Sequence, residues 1–201
     1  MALLRIWRGN TDSGEYRDHE VEAGEGWVVL DAVHRIADTE APDLAVRWNC
    51  KAGKCGSCSA EINGQPRLMC MTRLEDCAPR EPITVAPMKA YLNVKDLVCD
   101  TSRTFQFHAS VPAMKSVAPE QRTVQQMDVD RSQEFRKCIQ CFLCNDVCHV
   151  LREHDLQDKF AGPAMFTFAA ALEMNPLDEE DRLEWLRSEA GIGYCNITKC
   201  C

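Results

Sequence analysis

Residues 48–58 read WNCKAGKCGSC and residues 62–70 read INGQPRLMC. They place Cys50, Cys55, Cys58 and Cys70 in the order C-x4-C-x2-C with a fourth cysteine further on. Three thiolates from one tight loop and a fourth from elsewhere form the ligand arrangement of a [2Fe–2S] centre. A loop wrapped that closely needs backbone able to adopt φ > 0, and Gly53 and Gly56 supply it beside the small Ala52 and Ser57. Such a centre carries net negative charge, which Arg47, Lys51 and Lys54 are placed to offset. Four cysteines also suit zinc, but zinc sites use two short C-x2–4-C pairs rather than this pattern.

The surroundings of this loop read as a small α+β domain. Asn63-Gly64 is a strong hairpin signal, so 59–62 and 67–71 pair as strands, and Cys70 arrives on the second. Residues 4–8 alternate apolar and polar, as do 16–21 more loosely, while 44–48 reads as a short strand into the cysteine loop. Residues 28–37 carry Val29, Leu30, Val33, Ile36 and Ala37 at a helix period, and 83–85 is a last strand. Strand, strand, helix and further strands predict a β-grasp over 1–95. Residues 96–130, with Pro112 and Pro119 and no sustained period, read as a connecting segment. From 131 to 201 the pattern is helical. Pro163 opens one helix over 163–172, and 178–189 predicts another, with acids at its start and Gly191 as its stop.

The helical half holds a second cysteine run, Cys138-x2-Cys141-x2-Cys144-x3-Cys148. In bacterial two-cluster ferredoxins such a run gives three ligands to one cubane and its fourth to the other. Cys138, Cys141 and Cys144 are therefore expected to hold a [4Fe–4S] cluster. Cys148 is left for a neighbour completed from the chain end. Cys195-x2-Thr198-x2-Cys201 has the ferredoxin spacing with Thr198 where the middle cysteine would stand. A cubane lacking one thiolate loses that iron, so Cys148, Cys195 and Cys201 are expected to hold [3Fe–4S]. The [4Fe–4S] set then needs a fourth ligand, from a continuation of the chain past Cys201 or from a non-cysteine group, and the adjacent terminal cysteines favour a continuation. Cys200 reads as a spare, and Cys77 and Cys99 as small buried hydrophobes.

Composition narrows the function. A formal charge of −8 without a Lys/Arg-rich block speaks against nucleic-acid binding. Thirteen cysteines in a chain whose start, MALLRIWRG, lacks an apolar signal core point to metal or redox chemistry rather than a disulfide scaffold. The longest mostly apolar stretch, 161–174, is well short of the roughly 20 residues a membrane span needs. No nucleophile–base constellation or phosphate loop stands out, so bound cofactors carry the chemistry.

The order of [2Fe–2S] loop, linker, Cys138 run and terminal pair, with the stretches CIQCFLC (138–144) and FAGPA (160–164), resembles the iron–sulfur subunits of succinate dehydrogenases and fumarate reductases. The resemblance implies an N-terminal plant-type ferredoxin domain and a C-terminal all-α bacterial ferredoxin-like domain. It implies an FAD-containing flavoprotein partner and a membrane-anchor partner, often with haem. Electrons would pass from FAD through [2Fe–2S], [4Fe–4S] and [3Fe–4S] to quinone, in a complex peripheral to the cytoplasmic face of the plasma membrane. The chain departs from the family after its second run: His149 stands where proline is common, and 150–154 lacks the usual tryptophan. The resemblance therefore carries over no quinone-site residues; His149 is the first candidate for a residue close to the quinone or tuning the terminal cluster, and His154 a weaker one. Two other readings are an iron–sulfur module of a different flavoprotein or thiol/disulfide reductase complex, and a free soluble carrier.

Overall fold

The computed structural model describes residues 1–77, 82–121 and 123–201. These divide into two compact units, one of residues 1–100 and 139–147, the other of residues 101–138 and 148–201.

The first unit is built on a five-stranded mixed sheet. Strands β1 (Ala2–Gly9) and β2 (Gly14–Val21) pair antiparallel, from Ala2 opposite Val21 to Gly9 opposite Gly14. Helix α1 (Val29–Thr39) follows, then the cysteine loop, then β3 (Ser59–Ile62) and β4 (Gln65–Leu68). A short helix α2 (Leu74–Cys77) precedes β5 (Ile83–Ala86). The sheet order is β2-β1-β5-β3-β4, with β1 and β5 parallel. Alternation in β1 sends Leu4 and Ile6 inward, where Val29, Leu30, Val33 and Ile36 of α1 meet them with no more than 1% exposure. Burial of each such side chain is worth about 1.5–3 kcal/mol. The α+β expectation holds, and Asn63 (φ 50°) and Gly64 (φ 73°) make the two-residue turn their sequence signals.

Three local expectations change. Residues 44–48 are not a strand: the Ala45 N–H donates to Asp96 Oδ2 at 2.8 Å and its carbonyl accepts from Leu97 N at 3.1 Å. Cys70 sits not on the hairpin strand but in a 3-10 turn, Met69–Met71, that follows it. The segment 96–130, expected to be a connection without sustained period, holds β7 (Val98–Asp100), paired with β6 (Leu92–Lys95) before it, and α3 (Ser102–Ser110). Asp96 fixes the β6–β7 hairpin to β1: Oδ1 accepts from Gly9 N at 3.0 Å and lies 3.2 Å from Arg8 Nε.

The second unit is helical: α3, α4 (Gln126–Arg136), α6 (His149–Glu153), α7 (Pro163–Glu173) and α8 (Leu183–Ser188). Helix α5 (Leu143–Val147) belongs to the first unit. Pro163 opens α7 as its sequence requires, following Gly162 at φ 83°. The last helix starts later than the acidic run suggested, because Asp178 is committed elsewhere. Its Oδ2 pairs with the fully buried Arg182 at 2.7 Å, and its Oδ1 accepts from Lys115 N. Arg182 also reaches Glu173 at 3.0 Å and the Pro112 carbonyl at 2.9 Å. Among the described residues no helix is long and apolar enough to cross a membrane.

Candidate iron–sulfur ligand loops

The first loop is wound by three left-handed residues, Lys51 (φ 53°), Gly53 (φ 64°) and Gly56 (φ 69°). Left-handed residues among right-handed ones turn successive N–H groups inward, a concavity suited to anions and iron–sulfur sites. Here the Ala52 and Lys54 N–H groups donate to Cys50 Sγ at 3.4 and 3.3 Å. A hydrogen bond from the Ser57 hydroxyl, then backbone bonds at Cys50 and Ser57 and the Cys50 thiol, pull the Cys55 thiol down to about 6. Burial pushes Cys58 up to about 12, with Cys70 beside it. Cys50 thus neighbours Cys55, and Cys58 neighbours both Cys70 and Cys55. Four neighbouring cysteine sulfurs, with backbone N–H donors at Cys50, are a donor set that fits a two-iron cluster.

Cys141 and Cys144 of the second run also lie in the first unit, whereas Cys138, just past α4, lies in the second. The Cys141 backbone runs against the first loop. A Cβ on Gly56 would fall 2.6 Å from Cys141 Cα, so only glycine fits. The Ser59 hydroxyl lies 2.8 Å from the carbonyl oxygens of both Gly56 and Cys141. Asp146 of α5 accepts from the Ala90 N–H at 3.0 Å, and the Asn145 amide donates to the Tyr91 hydroxyl at 3.0 Å.

The terminal run repeats the backbone of the second. Gln140 (φ 53°) and Phe142 (φ 62°) are left-handed, and so are Ile197 (φ 58°) and Lys199 (φ 58°). Setting Cys195 against Cys138 puts these two pairs in register, Thr198 at the place of Cys141 and Cys201 at that of Cys144. A side chain with a Cβ resists this conformation by about 1–2 kcal/mol per residue, so its recurrence in both runs marks a shared requirement. The same register sets Cys200 opposite Leu143. Burial pushes the Cys148 thiol up, and Cys200 and Cys201 beside it push the same way.

His149, expected near the quinone or the terminal cluster, contacts two residues of the terminal run. Its Nε2 lies 2.5 Å from Asn196 Nδ2 and its Nδ1 3.4 Å from Thr198 Oγ1. The sequence held no signal for these contacts between residues 47 and 49 positions apart. Cys77 and Cys99 are buried as expected, and burial raises Cys99 to about 11.

Residues 3–106 match the family model of a 2Fe-2S iron-sulfur cluster binding domain. The fumarate reductase iron-sulfur subunit of Mycobacterium tuberculosis is 32% identical over 197 residues, covering 92% of this chain and 77% of that protein. The mitochondrial succinate dehydrogenase [ubiquinone] iron-sulfur subunit 1 of rice is 28% identical over 209 residues, covering 98% and 73%. A chain in the structure of the Mycobacterium smegmatis Sdh1 complex in the apo form superposes with a TM-score of 0.93 at 52% identity, covering all of this chain and 85% of the other.

Proposed function

The chain belongs to the family of iron–sulfur subunits of fumarate reductases and succinate dehydrogenases, and we propose that it is the electron relay of such a complex, itself making and breaking no substrate bonds. Cys50, Cys55, Cys58 and Cys70 would hold [2Fe–2S]. Cys138, Cys141 and Cys144 would hold [4Fe–4S], and Cys148, Cys195 and Cys201 would hold [3Fe–4S]. Bound there, the clusters would supply one-electron carriers that link the FAD of a flavoprotein subunit to quinone at a membrane anchor, the subunit that would hold any haem of the complex. The complex would sit on the cytoplasmic face of the plasma membrane.

The chain's own part is to hold, space and insulate. The Ala52 and Lys54 N–H groups stabilise charge on Cys50. Lys51 and Lys54 place cations beside the loop. Gly56 and Ser59 fix the first loop against the Cys141 backbone, which keeps the first two ligand loops close. One observation carries the reading: the paired left-handed residues recur at the same register in the second and terminal runs, with threonine replacing one cysteine.

The test is low-temperature EPR on the detergent-solubilised native complex, before and after succinate. A three-iron signal in the oxidised sample should vanish while a [2Fe–2S] signal grows. Clusters that dithionite reduces but succinate leaves oxidised would assign the relay to another flavoprotein or a thiol/disulfide reductase complex.

A further inference from the structure

We propose that His149 is a positioning residue that clasps the terminal ligand run against the segment carrying Cys148. The inference rests on the reading of Cys148, Cys195 and Cys201 as one ligand set. His149 directly follows Cys148, and Asn196 directly follows Cys195. Residues 195–201 lie outside every helix and strand, so side-chain ties define where that run sits. The imidazole offers two such ties on different edges of one rigid ring.

The Asn196 amide faces Nε2 at 2.5 Å and donates to it. That places the ring proton on Nδ1, which donates to Thr198 Oγ1 at 3.4 Å. The Thr198 hydroxyl is left to donate to Cys200 Sγ at 3.2 Å. The His154 ring, just past the end of α6, meets the His149 ring edge-on at 5.9 Å. Thr198 occupies the place of a ligand in the repeated backbone, and the clasp turns its hydroxyl towards the imidazole. Both ring nitrogens are committed, so His149 serves the ligand loops rather than presenting a donor to quinone.

The experiment compares the purified wild-type complex with His149→Phe, Asn196→Ala and the double variant. His149→Phe keeps a planar aromatic ring, somewhat larger than imidazole, and removes both nitrogens. EPR follows the three-iron signal under an iron chelator, with the [2Fe–2S] signal of the same sample as the measure of folded protein. Each single variant should lose the three-iron signal about tenfold faster than wild type, the scale of groups that orient metal ligands. The double variant should be no worse than His149→Phe alone, because that change already removes the Asn196 tie. Wild-type stability of the three-iron signal in His149→Phe, with only the quinone KM raised, would overturn the proposal, as would fully additive losses in the double variant. A wild-type complex with no three-iron signal would instead overturn the ligand assignment, and the clasp with it.

Discussion

The Gly56 and Cys141 backbones touch, leaving no room at Gly56 for even a methyl group. Gly53 offers an internal comparison. It too is left-handed, but a Cβ there would meet only the Met71 side chain, 2.9 Å away at Sδ, which can swing aside. Gly53→Ala should therefore cost about 1–2 kcal/mol from backbone strain alone. Gly56→Ala should cost at least about 2–4 kcal/mol, because backbone cannot yield. Denaturant titration followed by [2Fe–2S] visible absorption checks the order; equal costs would refute the contact.

Ser59 supplies the hydroxyl near two carbonyl oxygens on separate ligand loops. Ser59→Ala should lower stability by about 1 kcal/mol, the usual net value of a lost hydrogen bond. Hydrogen exchange at the amides of 139–142 and 56–58 should rise together in this variant. A rise confined to one loop would mean that the hydroxyl does not link them.

In the second unit the Arg182 side chain is 0% exposed and its partner Asp178 1%. Removing one member strands the other, so Arg182→Ala should cost about 3–5 kcal/mol. Thermal unfolding followed through Trp185, whose indole donates to the Ser110 hydroxyl, reads the loss.

The same pair sets an acid limit. Burial pushes the Asp178 carboxyl up, but the N–H groups of Glu180 and Lys115 and the Arg182 guanidinium outweigh it and hold it below the ordinary 3.8. A carboxyl depressed by folding stabilises the native state above its unfolded value, and that stabilisation is lost as pH falls through its folded value. Stability of the second unit should thus drop below about pH 4. Asp178→Asn should be less stable at neutral pH and should flatten that acid limb. An unchanged limb would assign it to other carboxylates.

Asp96 should be a weak point out of proportion to its place in a hairpin turn. It accepts from Gly9 and Ala45, pairs with Arg8, and is itself left-handed at φ 49°. Asp96→Ala should cost about 2–4 kcal/mol, whereas Asp96→Asn, which tolerates the backbone and keeps one acceptor, should cost clearly less. Equilibrium unfolding of both variants separates the two; similar losses would limit the role of Asp96 to its charge.

Where local chemistry decides the outcome, the sequence was readable. Asn63-Gly64 made its turn, Pro163 opened its helix, and the cysteine spacings marked the loops. Where a distant partner decides, it was not. Residues 44–48 look like a strand until Asp96, 51 residues on from Ala45, takes the amide. The 178–189 helix is shortened because Asp178 serves Arg182 and Lys115 instead of starting a helix. Strand β6 alternates Leu92 and Val94 with Asn93 and Lys95, but over four residues only, and its apolar side chains face outward, so no core contact lengthens the pattern. The His149–Asn196 contact joins segments that no periodicity relates.

The first unit takes residues 139–147 from far along the chain. During synthesis, therefore, it cannot close when its sheet is complete. With residues 1–100 released from the ribosome, the Ala90 amide still waits for Asp146, and Gly56 still faces open space where Cys141 will lie. Synthesis of the helical segment must be well advanced before the sheet domain has its final wall. A nascent chain stalled before residue 147 should stay open to the machinery that delivers iron and sulfide.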